Sequence, residues 1–209
     1  MAGTITALQV QKRNKERVNV YLDDEYALAV TVLVAATLKK GQYLTDAKIE
    51  QLKHQDERHK AYEQAIRYLG FRARSQVEMK RYLRGKGYAP EIVTEMIDRL
   101  QQQHYLDDEE FARSWLRDRE QFRPRSRQAL RYELKQKGIA DEVIEVVLAG
   151  LDEEELAWTA LEKKLYQWRS LEEDDFKKKI LGFLGRRGFN YEVARAVCER
   201  AWALLHPSE

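Results

Sequence analysis

Several residue types are scarce in this 209-residue sequence, and each scarcity excludes a class of protein. The single cysteine, Cys198, cannot form an intramolecular disulfide, so we expect a reducing, cytoplasmic environment. Its neighbours Ala194, Val197 and Ala201 predict a buried thiol rather than a nucleophile. The sequence has only 10 glycines and 3 prolines, a composition that favours helices over strands and loops.

Long apolar segments and a strong net charge are also missing. The most apolar segment, Tyr26 to Leu38, is too short to span a membrane. The first four residues are not a basic region before an apolar core, so we expect no secretory signal. The net charge is only +2, although charged residues make up 34% of the chain. Any charge-dependent function must therefore depend on how the charges are distributed.

A motif that occurs twice shows that the sequence is repetitive. The segment Phe71-Arg72-Ala73-Arg74-Ser75 agrees with Phe122-Arg123-Pro124-Arg125-Ser126 at four of five positions, at an offset of 51 residues. The offset aligns further pairs: Leu83 with Leu134, Lys86 with Lys137, and Gly87 with Gly138. A third copy follows from Gly138 to Gly188, with Leu184 in the place of Leu134. Three tandem copies of one unit are predicted.

Each copy is predicted to contain three helices, which we call A, B and C. In the first copy Ser75 and Glu78 form a capping box that begins helix B, and Gly87 ends it in a left-handed conformation. Apolar pairs suited to a Schellman ending recur in all three copies: Leu83 with Tyr88, Leu134 with Ile139, and Leu184 with Phe189. Helix C is predicted to begin near Pro90, Asp141 and Tyr191, and helix A of the later copies at Asp107 and Asp152.

The fold class predicted from these units is all-α, with tandem three-helix repeats stacked into an elongated curved rod. The first sixty residues differ: two short strands, Ile5 to Val10 and Val18 to Leu22, predict a β-hairpin. A short helix from Val30 to Lys39, ended by Gly41, and a long helix capped by Thr45 should follow. The predicted domains are residues 1–60 (hairpin and helix extension), 61–106, 107–151 and 152–209 (repeats 1, 2 and 3).

Residues suited to catalysis or metal binding do not form a recognisable constellation. His54 and His59 lie five apart on one predicted helix among polar residues, a pattern typical of solvated surface. Acidic runs, such as Asp107 to Glu110, could in principle hold Mg²⁺, but each stands at a predicted helix start, where the helix dipole favours negative charge. We therefore predict a protein that is not an enzyme and has no catalytic residues, metal or cofactor.

Basic residues provide the strongest indication of function. Arg67 to Lys86 contains seven basic residues and one acid, and Arg113 to Lys137 contains nine against three. The arginines of the repeated Arg-x-Arg-Ser tract precede helix B, a place suited to a phosphate or a carboxylate. The predicted binding residues are Arg72, Arg74, Arg81, Arg123, Arg125, Arg127, Arg131 and Lys135. The alternative is a solvated face that balances the acidic helix starts. The aromatic residues Phe71, Phe122, Tyr82, Tyr132 and Trp115 have spacings that predict core positions.

The pattern of these residues over positions 61 to 150 resembles the RecX family. It includes Arg72-x-Arg74-Ser75, Glu78-x-Lys80-x-x-Leu83, Lys86-Gly87-Tyr88, and Leu106-Asp107-Asp108-x-x-Phe111-Ala112, and continues with Pro124-Arg125-Ser126 and Lys137-Gly138-Ile139. The third copy departs from it, since Phe176 stands where Ser126 would. The resemblance implies a cytoplasmic regulator that binds the RecA–single-stranded-DNA filament. Such a regulator restrains ATP hydrolysis, strand exchange and stimulated repressor self-cleavage in DNA repair and the SOS response.

Two other functions compete with this one. The corner between helices B and C is similar to a helix-turn-helix, so the chain could bind nucleic acid directly. Helix C carries acidic residues, such as Glu91 and Glu95, and is therefore poorly suited to recognising DNA bases. Non-specific binding to single-stranded DNA through the arginines stays an open alternative. A helical scaffold for another protein is the third possibility. We expect the protein to act as a monomer.

Overall fold

The computed structural model describes residues 1–206 and divides them into two compact units. The first unit contains residues 1–72 and 82–99, and the second contains residues 73–81 and the chain from residue 100 onward. No helix in the described part of the chain is long and apolar enough to cross a membrane.

The first unit begins with a four-stranded antiparallel sheet of order β3-β2-β1-β4. Its strands are β1 (Gly3–Val10), β2 (Arg17–Leu22), β3 (Glu25–Thr31) and β4 (Tyr43–Leu44). The predicted hairpin is β1 and β2, but the prediction missed β3 and β4. The β2–β3 turn is made by Asp23 and Asp24, both with positive φ (47° and 70°), a conformation that Asp tolerates better than most residues.

Helix α1 (Val32–Ala35) is shorter than predicted at both ends, because β3 takes up Val30 and Thr31 and the chain turns after Ala35. Helix α2 (Asp46–Leu69) begins as predicted, with Thr45 Oγ1 accepting a hydrogen bond from Lys48 N at 3.2 Å. The sheet packs on α2 through buried Ile5, Val20, Leu28, Ile49 and Leu52, among others.

A buried ion pair also links the sheet to α2. The Arg17 guanidinium on β2 donates to both carboxylate oxygens of Asp56 on α2, with 2.9 Å between Nη2 and Oδ2. Both side chains are more than nine-tenths buried, so the Arg17 charge depends on Asp56 for compensation, whereas Asp56 also pairs with Lys60 at 2.9 Å.

Repeat 1 contains the C-terminal part of α2, helix α3 (Gln76–Gly85) and helix α4 (Pro90–Gln102). Within the first unit, the ring of Tyr68 on α2 stacks on Tyr82 on α3 at 3.9 Å between centroids. The Arg99 guanidinium on α4 lies 3.9 Å from the centre of the Tyr62 ring. These contacts join the three helices through aromatic faces as well as aliphatic packing.

The second unit contains repeats 2 and 3. Its helices are α5 (Asp108–Phe122), α6 (Arg127–Gln136), α7 (Asp141–Leu148), α8 (Glu153–Trp168), α9 (Glu173–Gly185) and α10 (Tyr191–Leu205). One continuous core connects them, from Phe111 on α5 to Ala201 on α10. On α7 the fully buried residues are Ile144 and Leu148, and the partly buried Val143 and Val147 lie beside them.

The predicted helix ends are confirmed in all three repeats. Gly87, Gly138 and Gly188 have φ of +88°, +77° and +89°. The amide of the residue after each glycine then turns back: Tyr88 N donates to Leu83 O at 3.4 Å, Ile139 N to Leu134 O at 3.1 Å, and Phe189 N to Leu184 O at 3.2 Å. Helix starts follow the predictions too, since Asp107 and Asp152 each accept two backbone amides. The first acidic residue of each of these two runs therefore caps the helix that follows it.

Candidate functional site

The serine of each Arg-x-Arg-Ser tract joins one repeat to the next, and we call each such contact a junction. At the first junction Ser75 Oγ donates to Lys137 O at 2.6 Å. At the second junction Ser126 N donates to Arg187 O at 3.2 Å, and Ser126 Oγ accepts from Ala129 N at 3.2 Å. Both serines are completely or almost completely buried. The serines therefore have a structural role at both junctions.

The arginines of the second tract lie on the surface at the second junction. Arg123 ends α5 and Arg125 precedes α6, and both side chains are exposed on either side of buried Pro124. Arg125 Nε lies 3.1 Å from Glu133 Oε1. Within residues 1–206, the Arg123 guanidinium forms no ion pair.

Glu133 on α6 is the only carboxylate that contacts Arg125 in the described chain, and it is shared. Its Oε2 accepts from Trp115 Nε1 at 2.8 Å and from Arg119 Nε at 2.7 Å. The Trp115 ring is also covered by two cations, with the Arg119 guanidinium 4.3 Å and Lys137 Nζ 4.9 Å from its centre. Glu133 therefore divides its charge between Arg125 and Arg119, although Arg119 also pairs with Asp118 at 3.2 Å, and it compensates Arg125 only in part.

A residue that the sequence analysis missed completes this group. Arg187, just after α9, donates from Nη1 to Pro124 O at 3.2 Å, and its guanidinium lies 4.5 Å from the centre of the Phe183 ring. Burial lowers the pKa of Arg187 below its usual value, and the positive charges of Arg125 and Arg123 lower it further. We call Arg123, Arg125 and Arg187 the arginine cluster. The repeat offset could have revealed Arg187, because it aligns with Lys86 and Lys137.

The other predicted residues of repeat 2 are engaged in local contacts. Arg127 Nη2 donates to Leu151 O at 2.7 Å, Arg131 Nη2 pairs with Glu145 at 2.6 Å, and Lys135 Nζ pairs with Asp141 at 2.9 Å. The ion pairs of Arg131 and Lys135 are well exposed. Exposed pairs of this kind contribute about 0–1 kcal/mol, so an anionic partner could displace their carboxylates at little cost.

The predicted residues of repeat 1 are divided between the units. Arg72 is an exposed residue of the first unit. Arg74 and Arg81 belong to the second unit, where Arg74 is half-buried and Arg81 is exposed on α3.

The prediction that most aromatic residues are core residues is wrong at three positions. Phe71 is 79% exposed, Phe122 is 63% exposed and Tyr132 is 65% exposed. Phe71 and Phe122 lie where helix A ends and the chain leaves the core, so helical spacing no longer directs their side chains inward. Tyr82 and Trp115 are half-buried. An exposed phenylalanine therefore adjoins the arginines of each tract.

Metal-binding groupings of three or more His, Cys, Asp or Glu residues do not occur in residues 1–206. Cys198 is buried as predicted, and burial raises the pKa of its thiol. The fold and the site thus define a class of protein: a small sheet followed along the chain by tandem three-helix repeats, with a cluster of arginines on the second unit.

Comparison with known proteins identifies the family within that class. Four family models match in chain order: the "Regulatory protein RecX N-terminal domain" over residues 3–45, and the first, second and third three-helix domains of RecX over residues 61–100, 107–148 and 152–207. The chain belongs to the RecX family of regulatory proteins.

Individual relatives agree with this assignment. The chain is 36% identical over 200 residues to "Regulatory protein RecX" of Bacillus licheniformis, covering 93% of this chain and 76% of the relative. It is 33% identical over 204 residues to the protein of that name from Clostridium botulinum strain Alaska E43, covering 94% of this chain and 95% of the relative. A crystal structure titled as regulatory protein RecX superposes with a TM-score of 0.71 at 27% identity, covering 95% of this chain and all of that one.

Proposed function

We propose that this protein is a cytoplasmic, non-enzymatic regulator that binds the RecA–single-stranded-DNA filament and inhibits it. Inhibition would extend to ATP hydrolysis, strand exchange and stimulated repressor self-cleavage. Membership of a family of regulatory proteins supports the regulatory role. Binding is attributed to the basic surface, because the filament is a polyanion built from repeated subunits.

The observation that carries this proposal is the arginine cluster at the second junction. Arg123, Arg125 and Arg187 come together from two repeats, and the described chain offers them only the shared carboxylate of Glu133. Such an excess of fixed positive charge disfavours the free protein and favours the bound state with an anionic partner. Arg131 and Lys135 would add contacts by exchanging their surface carboxylates for the partner. Arg72, Arg74, Arg81 and Arg127 complete the proposed set.

Steady-state ATP hydrolysis by the recombinase on single-stranded DNA tests the proposal. The wild-type protein should slow hydrolysis, and the double variant Arg123→Glu, Arg125→Glu should not, while its circular dichroism stays unchanged. A matched control reverses two exposed charges of the β1–β2 turn, Lys12→Glu and Lys15→Glu. Undiminished inhibition by the folded arginine variant would show that the cluster does not bind the filament.

Direct binding to single-stranded DNA is the second candidate, and exposed Phe122 beside Arg123 favours it. Nucleic-acid-binding surfaces often combine cations with aromatic rings on which bases stack. Separate measurements of binding to DNA alone, recombinase alone and the assembled filament distinguish the two candidates. A filament regulator should bind the filament more tightly than either component.

A further inference from the structure

The two junctions are built alike, but their charges differ. Each places a cation from the next repeat beside the Arg-x-Arg-Ser tract: Lys137 at the first junction and Arg187 at the second. At the first junction Lys137 Nζ forms a half-buried ion pair with Glu78 at 2.9 Å. Glu78 lies three residues after Ser75, in the first turn of α3. The cation of the first junction is therefore neutralised.

At the second junction the corresponding position holds Ala129, three residues after Ser126. Within residues 1–206 Arg187 consequently has no carboxylate partner, and its one hydrogen bond goes to the neutral carbonyl of Pro124. The junction is tight, because a Cβ on Gly188 would lie 3.1 Å from the Ala129 Cβ. Arg187 is thus held in a fixed, partly desolvated position while its charge remains uncompensated.

Side chains rather than helix amides form the anion-binding groups here. At the start of α6, Arg127 N already donates to Glu153 Oε1 at 2.8 Å, and Ala129 N donates to Ser126 Oγ. Guanidinium groups suit phosphate oxygens because their N–H donors form a planar fork. Phe122 offers an exposed ring next to Arg123, and a base attached to a bound phosphate could stack on it.

We infer that the second junction is a binding site for the phosphodiester backbone of a single-stranded nucleic acid. Arg123, Arg125 and Arg187 hold the phosphate, Phe122 stacks a base, and the first junction lacks this capacity because Glu78 occupies its cation. The inference deepens the proposed function, and it rests on that function only in assigning the strand to the filament.

Fluorescence anisotropy of a labelled thymidine oligonucleotide with the full-length protein, without recombinase, tests the inference across a salt series. Arg187→Ala removes one cation, so the slope of log K against log salt should fall by about 0.7, which at about 0.1 M salt is roughly a five-fold loss of affinity. Ala129→Glu supplies the carboxylate of the first junction and should cause a similar loss. Arg186→Ala is the matched control, because its guanidinium folds along α9 towards Gly182.

Each outcome decides the matter, with circular dichroism used to check folding. Losses with Arg187→Ala and Ala129→Glu, but not with Arg186→Ala, support the site. Equal effects of Arg187→Ala and Arg186→Ala overturn it, because the loss would then reflect net charge alone. If the protein binds recombinase in an Arg187-dependent way but does not bind the oligonucleotide, the ligand is an acidic protein surface and the inference is wrong. Failure of the proposed function would instead appear as unaltered recombinase ATP hydrolysis with the wild-type protein.

Discussion

Replacing Gly188 by alanine should destabilise the second unit more than the same change at any open glycine. Its φ of +89° disfavours a Cβ by about 1–2 kcal/mol. The added Cβ would also lie 2.7 Å from Ser126 Oγ, so the second junction must shift, and overpacking of this kind costs about 1–3 kcal/mol more. The expected total is about 2–5 kcal/mol.

Two control variants separate these contributions in urea titrations followed by far-ultraviolet circular dichroism. Gly87 has nearly the same φ, +88°, but its added Cβ would meet nothing within 4 Å, so Gly87→Ala should show only the conformational cost. Gly185 in α9 has ordinary helical geometry and open space, so Gly185→Ala should be neutral or stabilising by up to about 1 kcal/mol. Equal losses for Gly188→Ala and Gly87→Ala would refute the close packing of the second junction.

Three further variants or reactions probe other buried groups. Asp56→Ala leaves the buried Arg17 charge without its partner and should cost about 3–5 kcal/mol in urea unfolding. The raised pKa of Cys198 and its burial should make its reaction with a thiol reagent near neutral pH much slower in the folded than in the urea-unfolded protein. Burial raises the pKa of Asp108 above its usual value, so the native state binds this proton more tightly than the unfolded state does. This group's contribution to stability is therefore lost as the pH rises through the raised pKa. Asp108→Asn should remove that part of the pH dependence while its amide oxygen still accepts from Gln76 N.

Much of the helical architecture was predictable because its signals are local. A glycine that tolerates positive φ, followed by an apolar residue, specifies a helix end without knowledge of distant contacts. The same holds for Thr45, Asp107 and Asp152, each of which caps the helix that follows it. Repetition strengthened each prediction, since three copies rarely share such features by chance.

The N-terminal sheet was only half predicted because its remaining strands lack strong local patterns. The Asp23–Asp24 turn has none of the glycine or asparagine typical of tight hairpins, and β3 lies in an apolar segment that also suits a helix. Strand β4 has two residues, and its pairing with β1 is a long-range contact. Such pairing depends on the folded neighbours rather than on the strand's own sequence.

The candidate site shows the same division between local and long-range information. Repetition of the Arg-x-Arg-Ser tract was sufficient to predict Arg123 and Arg125, but the local contacts of Arg127, Arg131 and Lys135 depend on packing. The repeat offset aligns the third arginine, Arg187, with Lys86 and Lys137, but its position beside Arg123 and Arg125 becomes apparent only when repeat 3 docks on Ser126. Arg187 is significant because Ala129 supplies no carboxylate at the position that corresponds to Glu78. That difference becomes clear only once Glu78 is seen to pair with Lys137.

The two junctions therefore share similar backbone contacts but differ in whether their cation is paired with a carboxylate. A half-buried, neutralised cation such as Lys137 secures the contact between repeats, and separating it from Glu78 would leave a charge without compensation. Arg187 secures its junction through a backbone carbonyl and pairs with no carboxylate in residues 1–206, so on the inference above its charge is available to a ligand. In a repeat protein the stacking geometry can thus stay constant, while a single residue in the first turn of helix B determines which junction can bind an anion.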